Sequence, residues 1–497
     1  MSLVVLFVLP GLMALVLWLT RPSPRVSRAI SLTAAVALVA LAVRLITTAA
    51  DGVVLVHAFG GWRPPFGIAF AADRLSAIFV ALHAVLLLLS LLALRPEIHG
   101  EGVVQRAHPL LFMLTFGLFG SFLTADLFNL FVMFELVLIT SYLLIQIPGT
   151  RRSLAGTLPT IVVNLVASTL FLAGLGILYA LGGSVNAAEL PGELAQAPET
   201  LRRVALTLLV LAFATKAALV PLCFWMPATY PTLSAPLAAL FAGIMTKLGV
   251  YALLRILPLL VLDPWIVRAL VWAGGLSALL GVLAALSQYE VRRLLSFHSV
   301  SQVGYLVLAL ALATPAGVAA AIFFAVHHSL VKSTLYLVAD ELERRNASRD
   351  LRRMDFRIAV SLPLASCFIV AAFSLSGLPP LSGFVGKLGV FAAAYASEAW
   401  IGLTLLVLAS VFTLASMLKI WRFAFQQVPS QPLGPAPTRS GAMPLVAAML
   451  LILTLGFGAG PVYDYSAAAA NALLDGGAYR DAVLLADGRP APAPRVN

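Results

Sequence analysis

The chain has 497 residues, 61% of them hydrophobic and only 11% charged. A soluble globular domain is about one quarter charged, so this composition cannot cover a large water-facing surface, and it excludes a soluble enzyme, a DNA-binding domain and a disordered hub. The 32 Lys and Arg against 21 Asp and Glu give a formal charge of +11, which reflects membrane topology rather than nucleic acid, because the basic residues gather in alternate loops. The apolar runs are continuous, which excludes a barrel of alternating strands and leaves an all-α polytopic membrane protein. At about 20 residues per span plus short loops, the length holds roughly 12 to 15 helices.

In chain order the runs predict fourteen spans, near 2–19, 29–49, 74–94, 109–124, 126–147, 157–181, 204–224, 236–257, 264–286, 300–313, 317–339, 359–377, 400–424 and 442–461. The first, MSLVVLFVLPGLMALVLWL, lacks the basic start of a cleavable signal and is read as a span. The stretch 381–396 follows Pro379 and Pro380 and completes the twelfth span as a broken helix. Residues 1–108 form an N-terminal three-helix region, 109–258 and 259–425 two five-helix units, and 426–497 a last helix with an external tail. Beyond residue 462 the chain turns to Ala, Gly, Pro and scattered charge, and is expected to be poorly ordered. Cys223 and Cys367 lie in apolar runs and offer neither a disulfide framework nor a metal site.

The loops set the orientation. Arg21, Arg25, Arg28, Arg95, Arg106, Arg151, Arg152, Arg292, Arg293, Arg344, Arg345, Arg349, Arg352, Arg353 and Arg357 fall in one alternating set, against Arg63, Arg202 and Arg203 in the other. The first set is therefore expected on the cytoplasmic side, with both termini outside.

Two places break helix rules inside apolar runs. In AFATKAALVPLCFWMPATYPTLSAPL, Pro221 sits mid-run; in FSLSGLPPLSGFVGKLGVF, Pro379 and Pro380 are adjacent among glycines. A proline removes a backbone donor, and hydrocarbon cannot satisfy the freed carbonyl, so such breaks persist only against a cavity or within protein. They fall in the seventh and twelfth spans, five apart, which predicts a transporter built of two repeats, spans 4–8 and 9–13. An odd number of helices per repeat makes the repeats inverted.

Ionisable residues in mid-span carry the functional signal, because each costs several kcal/mol unless it faces a partner or water. They are Glu135, Lys216, Lys247, His327, His328, Lys332 and Lys387. An apolar surround disfavours a charged lysine and a nearby carboxylate favours it. Making or breaking a Glu135–Lys216 pair would thus change whether Lys216 holds its proton, and repetition through Lys247 and the histidines to Lys387 would make a relay. Simpler roles compete at some positions. Lys332 is near one end of its span, where a lysine can snorkel. His327 and His328 are adjacent and point about 100° apart, so one lines the path and the other packs. Asp126 reads as a solvated helix cap, and His298 opens a polar stretch where a structural role serves as well as a functional one. No metal-ligand cluster, phosphate loop, nucleophile elbow or cofactor ligand set is evident, so no metal or cofactor is expected.

LFNLFVMFELVLITSYLLI, LLVLAFATKAALVPLCFWMPATYPTLSAPLAALFAGIMTKLGVYALLR, EVRRLLSFHSVSQVGYL, HHSLVKSTLYL and SGLPPLSGFVGKLG, spread over residues 70–425, resemble the proton-translocating antiporter-like subunits. That family covers membrane subunits of respiratory complex I, of membrane-bound hydrogenases and of Mrp multi-subunit Na+/H+ antiporters, and SGLPPLSGFVGKLG is most similar to the D-type Mrp subunits. The resemblance implies fourteen helices in two inverted five-helix repeats with helices seven and twelve discontinuous. It further implies Glu135 and Lys216 as an acid–lysine switch pair, Lys247 as the central lysine, His327, His328 and Lys332 as the bridging helix, and Lys387 as the exit lysine. The expected function is proton translocation within a hetero-oligomeric exchanger of H+ for Na+, with Li+ or K+ as further cargo, in a bacterial or archaeal cell membrane. The alternative is a proton-pumping subunit of complex I or a hydrogenase, and a third reading is a structural scaffold.

Overall fold

The computed structural model describes residues 2–62, 64, 66–354, 362–426 and 442–484. Arg63, Arg357, the start of the expected twelfth span and the loop before the last one lie outside the described residues. Helices α1 (Leu3–Thr20) and α2 (Pro24–Ala50) lead into an antiparallel hairpin of β1 (Leu55–Ala58) and β2 (Ala69–Ala72), in the register Leu55 to Ala72 through Ala58 to Ala69. Then follow α3 (Arg74–Ala93), α4 (Glu101–Leu123), α5 (Leu127–Gln146), α6 (Arg151–Gly182), α7 (Glu199–Ala217) and α8 (Ala235–Arg255). A second series comprises α9 (Pro264–Ser287), α10 (Val291–Ala311), α11 (Pro315–Asn346), α12 (Leu362–Ser376), α13 (Ser382–Ala396) and α14 (Trp400–Phe425). The described residues close with α15 (Ala442–Phe457), α16 (Ala459–Asp475) and α17 (Gly477–Leu484).

Short polar side chains start these helices by accepting from otherwise orphaned backbone N–H groups. Asp73 caps α3 through Ser76 N, Asp126 caps α5 through Asn129 N, Asp263 caps α9 through Trp265 N, and Thr314 caps α11 through Gly317 N. Asp126 is thus the cap its position predicts, although it is 8% exposed and so buried rather than solvated.

The helices sort by burial. The apolar window of α8 is 100% buried and those of α10 and α11 are 94% buried, against 33% for α1, α2 and α14. These three form the centre, and the peripheral helices turn apolar side chains outward, as a lipid-embedded bundle requires. Small residues set the closest approach: a Cβ on Gly304 of α10 would lie 2.4 Å from Ala278 N of α9, which is backbone-to-backbone packing of the kind found between membrane helices.

Loops alternate between two ends. At one, Arg28 donates to Leu92 O at 3.4 Å, Arg152 pairs with Glu290 at 2.5 Å, Arg292 pairs with Glu343 at 2.7 Å, and Arg349 donates to Pro231 O at 2.9 Å. At the other, Arg74 donates to Ala50 O at 2.8 Å, Arg203 pairs with Asp263 at 2.7 Å, and Asp126 bridges to Asn186. The arginine-rich loops therefore share one face.

The expected count of spans depends on how broken helices are counted, and one further expectation needs correction. Eleven helices among the described residues are long and apolar enough to cross a bilayer, or twelve if the pair α15 and α16, bent by 74°, counts as one span; the expected fourteen are not all met by single helices. The shortfall has a cause: α7 carries Arg202, Arg203 and Lys216, and the proline break leaves α12 and α13 with 15 residues each, about 22 Å of helix against a core of about 30 Å. The expected disorder beyond residue 462 is wrong as far as residue 484. There α16 packs on α11 and α3, and α17 lies on the hairpin, with Val483 buried against Ala69 and Ala71. Its scattered polar residues hid an amphipathic helix.

At the hairpin end, Arg255 donates to both Asp73 carboxylate oxygens at 2.5 and 2.6 Å, to Ser76 Oγ at 2.6 Å and to Tyr251 Oη at 2.8 Å. The ring of Tyr479 on α17 lies 5.0 Å from the guanidinium. A buried pair is costly to break because one partner stays charged and unpaired. Arg255→Leu is expected to destabilise the protein by about 3–5 kcal/mol, and the double change Asp73→Leu, Arg255→Leu by less. The midpoint of thermal unfolding of the detergent-solubilised protein checks both.

Candidate functional site

The helix α7 ends one residue after Lys216, where Ala218 takes a left-handed conformation at φ 61°. The carbonyls at this end are met locally: Leu219 N donates to Ala214 O at 3.0 Å, and Trp225 Nε1 donates to Thr215 O at 2.9 Å. Lys216 is 5% exposed and its Nζ makes no hydrogen bond to the protein. It lines a narrow cavity of about 20 Å³ with Ser141 of α5, Thr160 and Asn164 of α6, Thr229, and Met245 and Leu248 of α8, room for about one water. Glu135, half-buried on α5, accepts a hydrogen bond from Ser168 Oγ of α6. It lies within electrostatic reach of Lys216, but the two form no ion pair within 4.0 Å.

Deeper in, α8, α10 and α11 bring five of the expected residues together with the broken helix. Lys247, fully buried, donates to Ala242 O of its own helix at 2.9 Å. Lys332 donates to Leu295 O of α10 at 2.7 Å and is fully buried; it does not snorkel. His327 Nδ1 meets Ser382 Oγ of α13 at 2.9 Å, whereas neither nitrogen of His328 has a protein partner. Lys247 is within electrostatic range of His327, His328 and Lys332, and Lys387 of His327 and His298. Lys216 stands apart from this cluster, joined to it by packing. A Cβ on Gly249 of α8 would lie 2.5 Å from Ala217 N and 2.9 Å from Lys216 C, so α8 presses directly on the end of α7.

At the second break the lysine and the prolines answer each other. Ser376 O in regular helix would accept from the N–H of residue 380, which Pro380 lacks. Lys387 Nζ supplies a donor to Ser376 O at 3.1 Å and another to Ser410 Oγ at 2.9 Å, and sits 5.3 Å from the Tyr305 ring centre. Among the described residues, no group of three or more His, Cys, Asp or Glu is placed to hold a metal ion.

Other polar groups are buried among these helices, most of them unread in the sequence, whereas His298 was noted there without a decided role. Gln302 of α10 is fully buried with neither amide atom bonded, and His298 is buried with Nε2 on Ser416 Oγ at 2.8 Å. Ser153, Thr157, Thr160, Asn164 and Ser168 form one buried face of α6. The steps of three and four residues were legible as a helical face; the row of Gln302 was not, because its neighbours come from other helices.

Residues 124–413 match the family described as NADH:quinone oxidoreductase/Mrp antiporter, TM. The chain belongs to this family. It is 36% identical over 463 residues to the D subunit of the Na+/H+ antiporter of Alkalihalophilus pseudofirmus, covering 92% of this chain and 94% of that one. The corresponding D subunit of Bacillus subtilis is 35% identical over 435 residues, 86% of this chain and 87% of that one. Among solved structures, a chain of the Mrp complex from Dietzia sp. DQ12-45-1b superposes with a TM-score of 0.89 at 31% identity, covering 97% of this chain and 99% of that one. As a member of the NADH:quinone oxidoreductase/Mrp antiporter family, the chain is a multi-pass membrane protein whose two helix breaks both fall within the matched region.

Because Gly249 meets backbone, which cannot yield as a flexible side chain does, Gly249→Val is expected to cost about 1–3 kcal/mol. Gly176→Ala, whose Cβ meets nothing within 4 Å, is expected to be neutral. Unfolding midpoints of the two variants check the difference.

Proposed function

We propose that this chain is the D-type, proton-translocating subunit of a hetero-oligomeric Na+/H+ antiporter, a transporter rather than an enzyme. The observation that carries the reading is the row of buried ionisable groups along α5, α7, α8, α11 and α13, several with polar atoms that no protein group satisfies. Such groups persist in a membrane interior when they meet water or each other, and a row of them is a medium for proton hops. The names of the relatives favour exchange of Na+ for H+ over a redox-driven pump.

In this reading protons pass along Glu135, Lys216, Lys247, the histidine helix with His327, His328 and Lys332, and Lys387. The breaks at Pro221 and at Pro379 and Pro380 give the terminal lysines polar backbone. The arginine-rich face is cytoplasmic and both termini lie outside, in a bacterial or archaeal cell membrane. Counting each broken element as one crossing gives fourteen spans, and residues 109–258 and 259–425 are inverted repeats. The direction of the breaks supports this, since α7 reaches its break from the hairpin end and α12 starts from the arginine face. Only Glu135 offers a carboxylate along the row, whereas a hard cation prefers several oxygens; Na+ therefore crosses at a contact with another subunit.

The test uses inside-out vesicles carrying the whole complex, energised to hold a pH gradient that a dye reports. Addition of Na+ should collapse the gradient. Lys216→Ala and Lys387→Ala should each slow the collapse by at least about a hundredfold with the complex intact, because each removes a group that takes and gives a proton. Lys216→Arg should fail as well, since a guanidinium does not release its proton. Normal exchange in Lys216→Ala would leave the chain a scaffold.

A further inference from the structure

The carboxylate of Glu135 has two potential partners within the bundle and occupies one. Ser168 Oγ of α6 donates to Glu135 Oε1, while Lys216 Nζ, buried and in electrostatic reach, stays without a hydrogen-bond partner. The rest of the polar face of α6 is otherwise engaged. Thr157 accepts from Gln146 at 2.6 Å, Asn164 donates to Thr160 O at 2.8 Å, and Thr160 bonds to Thr229. Ser168 alone on that face turns to an ionisable group. Lys216 is the one ionisable residue lining its cavity, and Tyr142 of α5 has an electrostatic link to Glu135.

We propose that Ser168 is a positioning residue that parks Glu135 away from Lys216 and so sets the balance between the open and the paired acid–lysine states. This rests on the reading of Glu135 and Lys216 as part of the proton path. A hydrogen bond to a carboxylate favours the parked state by about tenfold or more. Without it, Glu135 turns to Lys216, and the ammonium, now paired, gives up its proton less readily.

The experiment compares wild type, Ser168→Ala and Ser168→Thr in the intact complex, by exchange against pH in vesicles and by cryo-electron microscopy. Ser168→Ala should raise the pH of half-maximal exchange by about one unit, the equivalent of tenfold, and bring a Glu135 oxygen within ion-pair distance of Lys216 Nζ. Ser168→Thr keeps the hydroxyl and should restore both properties. An unchanged pH profile with Glu135 still distant from Lys216 in Ser168→Ala would overturn the proposal. The structural readout does not depend on transport, so it judges Ser168 even if Lys216→Ala proves active and the proton path fails.

Discussion

Burying charge in an apolar bundle is the constraint on which this structure depends. Lys247, Lys332, His298, His327 and His328 all lie on the three helices that the others enclose, and none of them is exposed. Their helices cannot be moved to the periphery without presenting ammonium and imidazole groups to lipid, and they cannot be packed dry without leaving polar atoms unmet. The arrangement is a compromise between those costs. Backbone carbonyls of α8, α10 and α12 take Lys247, Lys332 and Lys387, serines take His298 and His327, and His328 and Gln302 keep unbonded atoms facing the interior. A fold serving stability alone would fill these positions with leucine.

The proline breaks belong to the same logic. A helix interrupted inside a bilayer exposes carbonyls, and the two interruptions here are repaired in different ways. At the first, the Trp225 indole and the turn through Ala218 and Leu219 meet the last carbonyls of α7, which leaves Lys216 free of any such duty. At the second, Lys387 itself bonds to Ser376 O. The lysine beside each break is therefore held differently: Lys216 has no hydrogen-bond partner and lies within electrostatic reach of Glu135, whereas Lys387 is tied to the backbone and to Ser410. The asymmetry suits a path with distinct ends.

Much of this was legible in the chain. Continuous apolar runs announced helices, and the alternation of arginines sorted the loops into two faces. The seven mid-span ionisable residues stood out because hydropathy makes them conspicuous. Illegible features depended on partners from distant segments. Asp73 and Arg255 sit at the ends of expected spans with no sign of one another until the fold sets them 2.5 Å apart, and Arg292, counted among loop arginines, is buried on Glu343. Lys332 looked free to snorkel, yet α10 covers it. The Glu135–Lys216 pairing was drawn from residue types, whereas which partner the carboxylate takes depends on a serine 33 residues away. The helices after residue 458 were missed because alanine and glycine dominate there and the apolar face is narrow.

The central claim is that the interior row is a hydrated proton path. A high-resolution cryo-electron microscopy map of the intact complex tests it most directly, at Lys216 Nζ, both nitrogens of His328 and the amide of Gln302. The account predicts ordered water within hydrogen-bond distance of each, in a chain that continues to Lys387. Dry apolar packing at these atoms, or direct protein partners for all of them, would contradict it.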